Sequence, residues 1–196
     1  MALFCANISY ELREVSLKNK PSQMLEVSPK GTVPVLVLPE GKVIDESKEI
    51  MLWSLKQNDP LGLLRLSESE LELGENLIQL NDGEFKIALD RYKYPLRFMS
   101  EQPKDWRVEG EKFLKTIESL LEENKYLLGN KLTITDLAIM PFIRQFARTD
   151  IDWFNSSQYK NLREWLFELE ASEIFQKIMY KTTPWSEGSE RIIVQQ

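Results

Sequence analysis

"SPKGTVPVLVLPEGKVIDES", residues 28–47, decides how the chain is read. The runs "VPVLVL" and "KVI" read as strands. Pro39, Glu40 and Gly41 between them are turn residues, so the two strands are expected to form a hairpin. Pro34 opens the first run. A proline gives no N–H to a sheet, so it belongs at the first residue of a strand, at an edge or in a turn. Taken alone, Pro34 is compatible with an ordinary trans turn at a sheet edge and with a bend that serves a site.

Working outward, the residues before this stretch are short and mixed in period. "MALFCA" reads as a helical piece, and "ISYELREVSL" alternates at Ile8, Tyr10 and Leu12 before shifting phase, which suits a strand with an irregular exit. "PSQMLEVS" opens on Pro21, well placed in a first helical turn, and stops before Pro29. After the hairpin, "ESKEIMLWSLKQN" carries a wide apolar face on Ile50, Met51, Leu52 and Leu55 and reads as a helix. "DPLGLLRLS" interrupts the pattern with Pro60 and Gly62. Beyond it every candidate is helical and no strand pattern is seen. Leu71, Leu77, Leu80 and Phe85 fall in one long helix, and Phe113, Ile117, Leu120 and Leu121 in another. Residues 134–148, 161–169 and 172–180 supply three more. The expected division is an α/β domain over residues 1–59, a linker over 60–66 and an all-helical domain over 67–196.

The composition limits the chemistry. The chain has 196 residues, of which 42% are hydrophobic and 29% charged, the balance of a globular protein that can bury a core. Its net charge of −6 repels phosphate backbones, so nucleic acid is not expected as a partner. No apolar run is long enough to span a bilayer, no signal peptide is visible, and the expected compartment is the cytoplasm. Histidine is absent, which excludes Ser-His-Asp and Cys-His nucleophile systems within the chain and removes the commonest zinc ligand. With one cysteine, Cys5, neither an intrachain disulfide nor a cysteine metal cluster can be built, and no metal is expected.

The clearest helix start is "NKLTITDLAIM". Thr133 and Asp136 have capping-box spacing, with Asp in place of the commoner Glu, and Leu132 and Leu137 stand at staple positions. The structural role dominates here.

A mixed α/β half followed by an all-helical half resembles the glutathione transferase family, and particular stretches carry the resemblance. "NKPSQMLEVSPKGTVPVL" is similar to the family's path from the loop after its second strand into its third. "VIDES" is similar to the fourth strand running into the Glu-Ser pair that holds a glutamyl group. "LTITDLAIMPF" resembles the capped central helix of the helical domain. "LKNKP", residues 17–21, looks most like the omega and omega-like classes. The resemblance implies an α/β thioredoxin-like N-terminal domain and an all-α helical bundle behind it, the glutathione-transferase architecture.

The resemblance also implies roles. The Val33–Pro34 bond would be cis, turning the Val33 amide and carbonyl outward so that glutathione pairs with them as one more strand. Ser47, at a helix start, would take the α-carboxylate of the γ-glutamyl group, and Glu46 its ammonium. A Ser47 that simply caps its helix is an equally ordinary reading. Lys20 would approach the glycyl end. Family members are usually homodimers and act on small electrophiles or mixed disulfides, with glutathione as co-substrate.

The family's first strand and the reactive turn behind it have no counterpart in these residues, because "MALFCANISYELREV" resembles the end of the first helix and the second strand. That strand lies centrally in the family, so two strands are expected to lose ladder partners unless another element or another copy fills the place. Cys5 lies along a helix with no proline after it and reads as a buried structural thiol, not as the nucleophile. Arg91, Tyr92, Tyr94, Pro95, Arg144 and Phe146 are candidates for lining a second-substrate pocket, with packing the competing role. Two functions stay in view. One is an enzyme that conjugates glutathione to electrophiles or reduces mixed disulfides, and the other is a binding or interaction module of the same fold without turnover.

Overall fold

The structure, a computed structural model, describes residues 1–102 and 104–195. The chain forms two compact units, one of Met1–Gly62 with Glu173–Gln196 and one of Leu63–Ser172.

The first unit runs α1 (Ala2–Cys5), β1 (Tyr10–Leu12), α2 (Ser22–Val27), β2 (Leu36–Val37), β3 (Val43–Ile44) and α3 (Ser47–Gln57), and is joined by α10 (Glu173–Ile178) and β4 (Ile192–Val194). The expected hairpin is present. β2 and β3 pair antiparallel, with Leu36 opposite Ile44 and Val37 opposite Val43. Its turn closes through Leu38 N–H to Lys42 O at 2.8 Å and Gly41 N–H to Leu38 O at 2.8 Å. Gly41 takes φ +86°, a left-handed value that costs a glycine nothing. Leu38 and Ile44 of the hairpin and Ile50 of α3 form a small core, flanked by Leu36 and Trp53. α1 packs on α3 and on α10.

β1 pairs with β4, antiparallel, with Tyr10 opposite Val194, Glu11 opposite Ile193 and Leu12 opposite Ile192. The apolar periodicity pointed to no strand in this part of the chain, and three residues are too few to display an alternation. The consequence is that β1 has a ladder partner supplied by the chain's own last strand.

The second unit is helical among its described residues: α4 (Glu68–Leu80), a π turn (Asn81–Phe85), α5 (Lys86–Lys93), a 3₁₀ turn (Pro95–Phe98), α6 (Trp106–Glu123), α7 (Ile134–Ala147), α8 (Ile151–Ser156) and α9 (Lys160–Ala171). Side chains start most of these helices. Ser67 and Glu70 form a capping box on α4, with the Ser67 N–H 2.7 Å from Glu70 Oε2. Asp105 accepts from the Arg107 and Val108 amides at the head of α6. Asp150 accepts from the Trp153 amide at the head of α8. Each such cap is worth about 1 kcal/mol. Leu114 and Ile117 of α6, Ile139, Met140 and Ile143 of α7, and Leu162 of α9 are fully buried together. Of the four apolar residues expected in one long helix, Leu77 and Phe85 are buried and Leu71 and Leu80 are exposed. Among the described residues no helix is long and apolar enough to cross a membrane.

Candidate functional site

The stretch 28–47 builds one face of the first unit. Ser28 is buried, and its hydroxyl donates to Asp45 Oδ2 at 3.3 Å, tying the start of the stretch to the end of β3. The Gly31 N–H donates to Ser28 O at 2.9 Å, and Gly31 sits at φ +60°. A side chain there would meet Leu25 Cδ2 at 3.0 Å and Lys20 Nζ at 3.3 Å. The backbone angle is what favours glycine, since the Leu25 and Lys20 side-chain ends could shift a few tenths of an ångström to admit a Cβ. The same geometry locates Lys20, whose ammonium lies over Gly31, two residues before Val33.

The Val33–Pro34 peptide bond is cis, and both residues are exposed. Among the described residues nothing hydrogen-bonds the Val33 amide or carbonyl. Open main-chain groups are what an added peptide strand needs, and here they stand at a bend just before β2.

Glu46 is the N-cap residue of α3 and Ser47 is its first helical residue. Sequence alone left Ser47 open as the cap. In the structure no side chain caps this helix, because Ser47 stands one position too late to reach back to the first-turn amides. The 11-residue helix α3 therefore presents its positive end beside two exposed residues, an arrangement that favours an anion.

Two further participants were not identified from sequence. Lys30 donates to Glu46 Oε1 at 2.9 Å and to Asp45 Oδ1 at 3.4 Å. Its pKa is raised by the hydrogen bond to Glu46 and then by the charges of Asp45 and Glu46. The Glu46 carboxylate, expected to receive an ammonium group, is already paired with one. The only signal in the sequence is the residue type, since Lys30 and Glu46 are 16 positions apart.

Of the second-substrate candidates, Phe146 belongs to the packing of the helical unit, whereas Tyr94 and Pro95 are exposed. Phe146 is fully buried among Phe85, Tyr92 and Trp153, with centroid separations of 5.3, 5.0 and 6.1 Å. It fills a core and lines no surface. Arg91 makes a two-pronged pair with Glu101 at 2.6 and 2.7 Å and stacks on Phe98 and Trp106. Arg144 pairs with Glu170 at 2.6 Å. Tyr94 lies under the Arg97 guanidinium at 4.1 Å.

Cys5 is buried at the end of α1, and burial raises its thiol pKa. A thiol held protonated and out of water is a poor nucleophile.

Comparison with known proteins agrees with this geometry. Residues 1–57 match the family described as glutathione S-transferase, N-terminal domain, and residues 81–173 match glutathione S-transferase, C-terminal domain. A probable maleylacetoacetate isomerase of Caenorhabditis elegans is 27% identical over 183 residues, covering 87% of this chain and 83% of that protein. Elongation factor 1-gamma 3 of Oryza sativa subsp. japonica is 25% identical over 171 residues, covering 85% of this chain. The chain spans 41% of that longer relative. Among solved structures, a glutathione S-transferase from Rhodospirillum rubrum F11 superposes with a TM-score of 0.74 at 21% identity, covering 93% of this chain and 86% of that one. A glutathione S-transferase-I bound with lactoylglutathione superposes with a TM-score of 0.71 at 20% identity, covering 90% and 89%. At these identities the two structures speak to the fold.

Proposed function

The chain belongs to the glutathione S-transferase family, and we propose that it binds glutathione on the face built by residues 20–47. The observation that carries this reading is the uncapped start of α3, with Ser47 in its first position and Glu46 before it. An α-carboxylate at that helix end meets main-chain N–H groups and a hydroxyl, while Glu46 is at hand for the neighbouring ammonium. Val33 offers its open amide and carbonyl to the cysteinyl backbone, and Pro34 ends the pairing. Lys20, resting over Gly31, offers a cation to the glycyl carboxylate.

In this reading the protein is an omega-like member that works in the cytoplasm as a homodimer. The glutathione thiol gives its proton to water, and the thiolate sulfur bonds to an electrophilic carbon as that carbon's bond to its leaving group breaks, the leaving group departing with the electron pair. On a mixed disulfide it attacks the glutathionyl sulfur instead, forming glutathione disulfide and releasing the other partner as a thiolate that takes up a proton. The binding face holds the peptide in one geometry for that step. A second reading, a binding module without turnover, is favoured by one observation: Cys5, the chain's one thiol, is buried and its pKa is raised.

Calorimetric titration with glutathione tests the site. Ser47→Ala and Glu46→Gln should each weaken binding by about 1 kcal/mol or more, as for contacts with a charged group. Absence of binding by the wild type, or affinity unchanged in both variants, overturns the assignment. Turnover of a generic aryl halide by a protein that binds glutathione then separates the enzyme from the module.

A further inference from the structure

β1 is three residues long, and a lone two-stranded ladder of that length does not hold itself in water. The segment that follows it, up to the head of α2, has little regular structure. It holds a tight turn, in which the Asn19 N–H donates to Ser16 O at 3.0 Å, and then Lys20 and Pro21. The C-terminal residues grip both ends of this segment. At the near end, Val194 is buried opposite Tyr10 and Arg191 lies 3.5 Å from Glu11. The Trp185 N–H donates to Glu14 O at 2.7 Å, and the Arg13 guanidinium lies over the Trp185 ring at 4.7 Å. At the far end, Gln23 Nε2 donates to Glu187 Oε2 at 3.3 Å. A turn shapes the grip, in which the Ser189 N–H donates to Ser186 O at 2.9 Å and the Ser186 N–H to Ser189 Oγ at 3.0 Å.

We propose that residues 181–195 are a strap that clamps the segment from Arg13 to Gln23 at both ends and so holds Lys20 over Gly31. Trp185 and Val194 are its positioning residues. Lys20 is exposed and lies between the two gripped ends, and among the described residues no hydrogen bond or ion pair fixes its ammonium. The strap stands on the contacts above, whereas its effect on ligand rests on the glutathione reading. It predicts that docking of the last strand tunes the end of the site that meets the glycyl carboxylate and leaves the glutamyl end alone.

The test uses full-length Trp185→Ala and Val194→Asp, with hydrogen exchange and two titrants, glutathione and γ-glutamylcysteine, which lacks the glycyl residue. The expected result is exchange about tenfold faster across residues 10–23, with the amides of α6 unchanged as evidence that the chain is folded. Affinity for glutathione should fall about tenfold, the loss of one charge-assisted contact, while affinity for γ-glutamylcysteine stays the same. Unchanged exchange at 10–23 in both variants overturns the strap. Faster exchange with equal losses for the two titrants overturns its positioning of Lys20. If the wild type binds neither titrant, the glutathione reading fails with the link to Lys20, and the exchange data still decide the strap.

Discussion

The indole N–H of Trp165 donates to Asp136 Oδ1 at 3.0 Å, far from the surface. The same oxygen accepts the Leu127 N–H at 3.0 Å, and Oδ2 accepts the Thr133 N–H at 2.9 Å and the Thr133 hydroxyl at 2.8 Å. One carboxylate thus starts α7, ties down the loop before it and anchors α9. Burial raises the Asp136 pKa against the pull of these four bonds. Asp136→Asn keeps the shape but turns one acceptor into a donor. With the NH2 at the Oδ2 position the Thr133 hydroxyl can turn to accept from it, and the Thr133 N–H is left without an acceptor. The loss expected in urea unfolding is about 1–3 kcal/mol, the cost of one buried donor left unpaired. Trp165→Phe removes one bond and should cost about 1 kcal/mol. The double variant should lose less than the sum, because the two changes share a partner.

Gly110 of α6 faces Phe146 with no room for a side chain. A Cβ there would meet the ring at Cε2 and at Cζ, the latter at 2.7 Å. Alanine in a helix interior gains about 1 kcal/mol over glycine. Here that gain meets a ring wedged among three other aromatics, and overpacking costs about 1–3 kcal/mol. Gly110→Ala is therefore expected to lower the unfolding midpoint, and adding Phe146→Leu should recover part of the loss. Gly83→Ala, with open space around its Cβ, is the control and should be neutral or slightly stabilising.

The hairpin was legible because its signals are local: β-branched runs on either side of Pro39–Gly41, with the left-handed position filled by glycine. The α7 start was legible for the same reason, but only as a box of two residues. That Asp136 also serves Trp165 depends on a contact 29 residues away, which no window of sequence contains. The same limit hid Lys30 on Glu46. Ser47 illustrates a finer one. Its residue type suits a cap, and a one-residue shift of the helix start makes it the first helical residue instead. The strand Ile192–Val194 escaped because it is too short to alternate, and its meaning comes from Tyr10–Leu12 at the other end of the chain.

Burial sets the expected behaviour of Cys5. Its thiol pKa is raised in the folded state, so the unfolded chain ionises first as pH rises. Stability from this group is complete below the ordinary thiol pKa of about 8.5–9 and is lost as pH climbs through the folded value. Cys5→Ala should flatten the alkaline limb of a stability profile taken between about pH 8 and 10. A disulfide dye should label the native wild type only at the rate of opening, with full labelling in denaturant. Rapid stoichiometric labelling of the native protein would restore Cys5 as a reactive thiol.

Lys30 and the ligand compete for Glu46 if the glutamyl ammonium binds there. The ion pair is at 2.9 Å but both side chains are largely exposed, 57% and 62%, so the pair is weak and screened. A ligand ammonium displaces it at small cost. Lys30→Met should tighten glutathione binding about two- to fivefold by removing the competitor, within the range measured for exposed pairs. The gain should shrink between 0.05 and 0.15 M salt, where screening already loosens the pair. It should vanish in a Glu46→Gln background, where there is no carboxylate to contest. Weaker binding by Lys30→Met would instead put Lys30 on the ligand's carboxylate, beside Ser47, and would leave Glu46 as its holder and not as a contact.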